Sequence, residues 1–167
     1  MAHPKAYDFT VAADGDDLVI RHGTATRFGA NDDPEDNGVG AWGFPVRQHP
    51  EYLGISLPIR GHAGGLTDSP VPHLPGGIAV KVYSAKTGKS VFAHLVDIGP
   101  SRFTGRAADL MNSVVTALGL TLADGVYPVD LRVIGGAKYL PGHATESVAD
   151  VSPDAEGGWA VCQEGVA

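Results

Sequence analysis

Residues 94 to 110 read HLVDIGPSRFTGRAADL. An apolar run ends on Asp97, the chain breaks at Gly99-Pro100, and a second aspartate, Asp109, follows Gly105-Arg106. Upstream, residues 78–84 (IAVKVYS) alternate apolar and polar, AKTGK turns the chain, and residues 90–96 (SVFAHLV) return. That is the pattern of a β-hairpin. Downstream, residues 112–120 (NSVVTALGL) place Val114, Val115 and Leu118 on one helical face. Asn112 or Ser113 is available as the cap and Gly119 as the stop, so one short helix is predicted. Residues 127–134 (YPVDLRVI) alternate again as a closing strand. Asp97 is therefore expected at a strand end on a rim, and Asp109 at the start of a helix.

The rest of the chain is rich in turns. The 23 glycines and 12 prolines, about a fifth of 167 residues, leave little room for long helices and suit short strands. Residues 7–12 (YDFTVA) and 18–26 (LVIRHGTAT) flank an ADGDD turn and predict a first hairpin. Residues 30–65 are loop-rich, interrupted by a small apolar segment at 52–57. From Gly135 the chain is again polar and rich in Gly and Pro, with Trp159-Ala160-Val161-Cys162 as a possible extra strand. No internal repeat is present. Many short strands with one helix point to a small β-barrel.

Composition narrows the function. Hydrophobic residues at 43% and charged residues at 19% are those of a soluble globular domain. Twelve Lys and Arg against 19 Asp and Glu leave a formal charge of −7, which argues against nucleic acid or an anionic membrane as the main partner. A single cysteine, Cys162, excludes an internal disulfide and a multi-cysteine zinc site. No apolar run approaches a bilayer span, so no membrane insertion is expected. The N-terminus MAHPKAYDF carries no signal-peptide apolar region, as in a mature form or an excised domain.

In order and spacing, several elements together resemble one family. Thr87-Gly88-Lys89-Ser90-Val91, Asp97-Ile98-Gly99-Pro100, Gly105-Arg106, Asp109-Leu110 and Ala117-Leu118-Gly119-Leu120 resemble the second half of the rare-lipoprotein-A-like double-psi β-barrel. Residues 80–134 carry the resemblance well, and residues 23–43 loosely resemble its opening segment. Ile98 stands where the family has arginine, Met111 where it has serine, and Ala107 where related expansins and family-45 endoglucanases have histidine. The resemblance implies an all-β fold, a six-stranded double-psi β-barrel with one or two short helices and loop insertions. It also implies an N-terminal hairpin arm over 1–20, the barrel over 21–135 and a C-terminal extension over 136–167.

The two aspartates alone serve equally well as turn and helix-start punctuation. The resemblance implies more, because Asp97 matches an active-site aspartate of rare lipoprotein A proteins. Asp109 matches the catalytic acid of related enzymes and the aspartate of membrane-bound lytic transglycosylases. Glycosidic cleavage needs an acid for the leaving oxygen, and a nearby second acid raises one pKa to suit that task. His49 loosely parallels a family histidine and is a further catalytic candidate. Asp33, in the acidic run NDDPEDNG (31–38), is another, as a partner acid in the cleft. Trp42 and Tyr52 are candidates for stacking on sugar, and Arg106 and Asp36 for binding it.

The acidic run fails the EF-hand pattern, since position 12 falls on Trp42, Gly43 or Phe44. A solvated turn explains it better than a calcium site. No metal site and no cofactor is expected. His94 alternates with Val96 and is expected to face away from Asp97 as a surface or packed residue.

The expected function is cleavage of a cell-wall polysaccharide, peptidoglycan first, by a lytic-transglycosylase mechanism with an aspartate acid/base. The expected setting is the periplasm, the cell envelope or outside the cell, as a monomer whose partner is the glycan. Two other readings use the same fold. One is a non-catalytic, expansin-like polysaccharide-binding module, and the other is a structural domain of a secreted assembly.

Overall fold

The computed structural model describes residues 5–28, 39–61 and 66–142. Strands β1 (Thr10–Asp14) and β2 (Asp17–Phe28) form the first hairpin, turning at Gly15-Asp16. β3 (Gly54–Leu57) follows, then the second hairpin of β4 (Ala79–Ser84) and β5 (Lys89–Ile98). β6 (Ala108–Met111) runs directly into helix α1 (Asn112–Ala117), and β7 (Tyr127–Val133) ends the barrel.

Neighbouring strands run β2-β6-β3-β5-β4-β7, and pairing of β7 with β2 closes a six-stranded barrel. β2 with β6 and β3 with β5 are parallel, and the other pairs are antiparallel. The double-psi β-barrel expected from the sequence is thus the fold. Its strands alternate: in β4, Val80, Val82 and Ser84 are buried while Lys81 and Tyr83 face out. Leu18, Ile20, Ala25, Ile55, Leu57, Leu95, Leu110, Leu131 and Val133 fill the interior with the inner face of α1.

A second, smaller cluster of Phe44, Val46, Tyr52, Val96 and Met111 packs outside the barrel. The segment from Gly40 to Leu53 supplies three of these five residues and covers the outer face of β3, β5 and β6. β3 is therefore buried on both faces along its whole length. That double burial explains why GISL shows no alternation in the sequence.

Two irregularities aim the side chains. β2 bulges between Ile20 and Gly23, with His22 at φ 63° and its N–H donating to Asp130 Oδ1 at 3.0 Å. The strand bends there, pairing with β7 before and after the bulge and with β6 from Ala25 onward. β5 bulges where Ile55 pairs with Leu95 but Ser56 pairs with Asp97, which leaves Val96 as an extra residue.

The short helix differs in detail from the sequence reading. It stops at Ala117, with Gly119 at φ 73° beyond it, and its cap position is Met111 rather than Asn112 or Ser113. The Ser113 hydroxyl instead donates to the Tyr52 carbonyl, tying the helix to the covering segment. Asp109, expected at the helix start, lies inside β6. β2 extends on both sides of residue 20, so the expected arm and the barrel share one bulged strand. Beyond residue 142, including the possible strand at Trp159 to Cys162, the chain lies outside the described residues.

Candidate functional site

Thr26, Asp109, Ser56 and Asp97 form one row across β2, β6, β3 and β5. Thr26 pairs with Asp109, Asp109 with Ser56, and Ser56 with Asp97. Their neighbours Ala25, Ala108, Leu110, Ile55 and Leu57 point into the barrel core. Alternation therefore turns Thr26, Asp109 and Ser56 to the outer face, beside the second cluster. Asp97 joins them only because of the β5 bulge. Leu95 and Ile98 face the core, and the extra residue places Val96 and Asp97 together on the outside. With strands about 4.8 Å apart, the two aspartate Cα atoms are separated by roughly 10 Å, two strand spacings.

Each side chain in the row is held. The Thr26 hydroxyl donates to Asp109 Oδ1 in a short hydrogen bond. Ser56 Oγ donates to the Gly99 carbonyl at 2.9 Å, fixing the turn that follows Asp97. Asp97 Oδ1 accepts the Ala41 and Ile98 amides at 2.9 and 2.8 Å. Gly40 makes the Ala41 contact possible, since a Cβ there would lie 2.1 Å from the Val96 carbonyl oxygen. Only glycine lets the covering segment approach β5 so closely.

The electrostatics separate Asp109 from ordinary surface carboxylates. Burial pushes its pKa up, and the negative charge of Asp97 adds to that. The Thr26 hydrogen bonds and the Arg106 guanidinium pull the other way without overcoming burial. Asp109 thus retains its proton above the usual carboxylate range, which is the property a general acid needs.

The remaining sequence candidates divide. Arg106, half-buried just before β6, acts on Asp109 by charge and belongs to the site. Trp42 follows Ala41 and is half-buried, its ring lying against the backbone of Gly76. Tyr52 is 6% exposed and packs on Phe44 with ring centroids 4.6 Å apart, so it offers no stacking face and is a core residue. His49 contacts Glu51 at 3.5 Å and the Phe44 ring at 5.8 Å, on the covering segment rather than in the row. Asp33 and Asp36 lie outside the described residues, as does the acidic run around them.

His94 corrects the reading by alternation. Because the bulge resets the strand, it shares the outer side with Val96 and Asp97, 6.1 Å from the Tyr52 ring. It is 9% exposed, and burial lowers its pKa, so it is a neutral packed residue. Thr26 and Ser56 were missed in the sequence. Their signal, a small hydroxyl at an outward strand position beside each acid, becomes visible only with strand pairing known. Among the described residues, no group of three or more His, Cys, Asp or Glu side chains is placed to hold a metal ion.

No family model matches the chain, and no curated protein matches it. Among solved structures, it is similar to the Streptomyces papain inhibitor at 21% identity and a TM-score of 0.43. The match covers 66% of this chain and 89% of that one.

Proposed function

We propose that the row on the outer wall cleaves a cell-wall glycan, peptidoglycan first, by a lytic-transglycosylase mechanism. The observation that carries this reading is Asp109: a carboxyl with its pKa raised by burial, set one strand from Ser56 and two from Asp97. The sequence resemblance to rare-lipoprotein-A-like barrels supports the same residues in the same role.

In this mechanism Asp109 donates its proton to the glycosidic oxygen as the bond from the anomeric carbon breaks. The resulting carboxylate then accepts the proton of the sugar's own hydroxyl as that oxygen closes onto the anomeric carbon. One acid/base therefore serves both halves, and no water is consumed. Asp97, anchored by two backbone amides, faces the developing positive charge of the sugar ring. Arg106 supplies a counter-charge to Asp109 when the proton has left. A protein of this activity works in the periplasm, in the cell envelope or outside the cell, with the glycan as its partner.

The test is incubation with purified sacculi, with products read by mass spectrometry. Anhydro-ended muropeptides from the wild type, lost in both Asp109→Asn and Asp97→Asn, are expected. Hydrolysed ends, or unchanged release by both variants, overturn the mechanism. Retention on sacculi without any soluble product marks a binding module of the expansin kind instead.

A further inference from the structure

The wall opposite the acidic row carries a second set of polar and aromatic side chains. β7 and β4 lie across the barrel from β6 and β3, with β2 and β5 shared by both walls. On the outer face, Lys81 pairs with Arg132 on one side and Phe92 on the other, and Tyr83 sits between Asp130 and Ser90. A trough of about 330 Å³ is lined by Arg21, Lys81, Tyr83, Asp130 and Arg132 among others. A second of similar size, lined by His22, Thr24 and Pro128, adjoins it through Asp130. From β2 to β5 the face spans three strand spacings, about 14 Å.

The charges here are unusual for a chain of net charge −7. Lys81 and Arg132 are like charges directly opposite one another, an arrangement that destabilises a sheet. Arg132 is balanced by Asp14 at 2.6 Å and Asp17 at 3.1 Å. Among the described residues, Arg21 and Lys81 have no carboxylate partner, and Lys81 lies 5.9 Å from the centroid of the exposed Phe92 ring. Two cations without an ion-pair partner among the described residues, beside Tyr83 and Phe92 at 40% and 53% exposed, call for a ligand with an anionic group and a body that packs on rings.

Asp130 decides the class of that ligand. A carboxylate amid the cations repels a dense polyanion such as nucleic acid or polyphosphate, as does the overall charge. It welcomes a hydroxyl donor. We propose that this face is a second saccharide-binding surface, taking an extended glycan in which carboxylate-bearing sugars are interspersed with neutral ones. The carboxylate pairs with Arg21 and Lys81, a neutral ring packs on Tyr83, and its hydroxyls reach Asp130 and Ser90. The inference stands apart from the acidic row, which it does not use.

The probe is a hyaluronan hexasaccharide, which alternates acidic and neutral rings, titrated into the full chain by calorimetry and amide NMR. Binding with shifts concentrated in β4 and β7 is expected. Arg21→Ala and Lys81→Ala should each weaken it about tenfold, the loss of one charge-assisted hydrogen bond. Tyr83→Ala should weaken it too, with unchanged circular dichroism verifying that all three variants fold. Asp109→Asn and Asp97→Asn should bind as the wild type does, which separates this face from the cleavage reading. No binding, equal binding of neutral chitohexaose, the same shifts with inorganic phosphate alone, or full affinity in Lys81→Ala each overturns the proposal.

Discussion

Asp97 and Asp109 stand on either side of Ser56 in a single cross-strand row, and they share a face because Val96 is one residue too many for its strand. Regular pairing would turn Asp97 towards the barrel core, where an unpaired carboxylate is costly. The bulge is thus the feature that assembles the site.

Asp109 gives a stability signature that does not depend on any substrate. Its pKa is raised in the folded chain, so ionisation favours unfolding. Its contribution is fully present below the ordinary carboxylate pKa and is lost as pH rises through the folded value. Asp109→Asn removes that loss. The variant should melt at or above the wild-type temperature at pH 7, with the gap closing towards pH 3. A wild type that gains stability over Asp109→Asn as pH rises would contradict the raised pKa.

Asp97 should separate charge from anchoring. Asp97→Asn keeps an oxygen for the Ala41 and Ile98 amides, so thermal unfolding should stay near that of the wild type. Asp97→Ala loses both acceptors and should cost about 1–2 kcal/mol, measured by urea unfolding. Both variants should lose glycan cleavage.

Gly40→Ala should damage the site from outside it. The added methyl meets the Val96 carbonyl oxygen at 2.1 Å, and backbone cannot step aside as a flexible side chain can. The covering segment must lift, at about 1–3 kcal/mol for overpacking, and draw the Ala41 amide away from Asp97. Lowered stability together with weakened activity is expected, measured by urea unfolding and by muropeptide release.

Tyr7 links the N-terminal segment to the turn after β5. Its hydroxyl donates to Asp68 at 2.9 Å and the Arg102 guanidinium lies 4.0 Å from its ring centroid. Burial and Asp68 push its pKa up to about 12. Its contribution is therefore full below pH 10 and is lost as pH rises to about 12. An ultraviolet titration of the folded protein should show a tyrosine ionising there, and Tyr7→Phe should remove that component.

Much of the barrel was legible in the sequence because β4 and β7 each expose one face and so alternate, and because glycine-containing turns mark both hairpins. β3 did not announce itself, being sandwiched between two apolar clusters. β6 was hidden because ADLM passes into the helix at Asn112 with no intervening turn residue. Asp97 and Asp109 were singled out by their order around the Gly-Pro turn and by family likeness, and strand pairing brings them into one row. What alternation misjudged was His94, since one extra residue at Val96 shifts the sides of the strand without any mark in composition. Tyr52 was misjudged for a related reason: an aromatic in a loop-rich stretch looks available for ligand until its apolar partners, Val96 and Met111, arrive from distant strands.

The double burial of β3 makes the acid pair rigid by proxy. Ser56 sits between Asp109 and Asp97, and a four-residue strand with an apolar cluster on each face cannot shift without opening one of them. The separation of the two carboxylates is therefore a property of hydrophobic packing rather than of any bond between them.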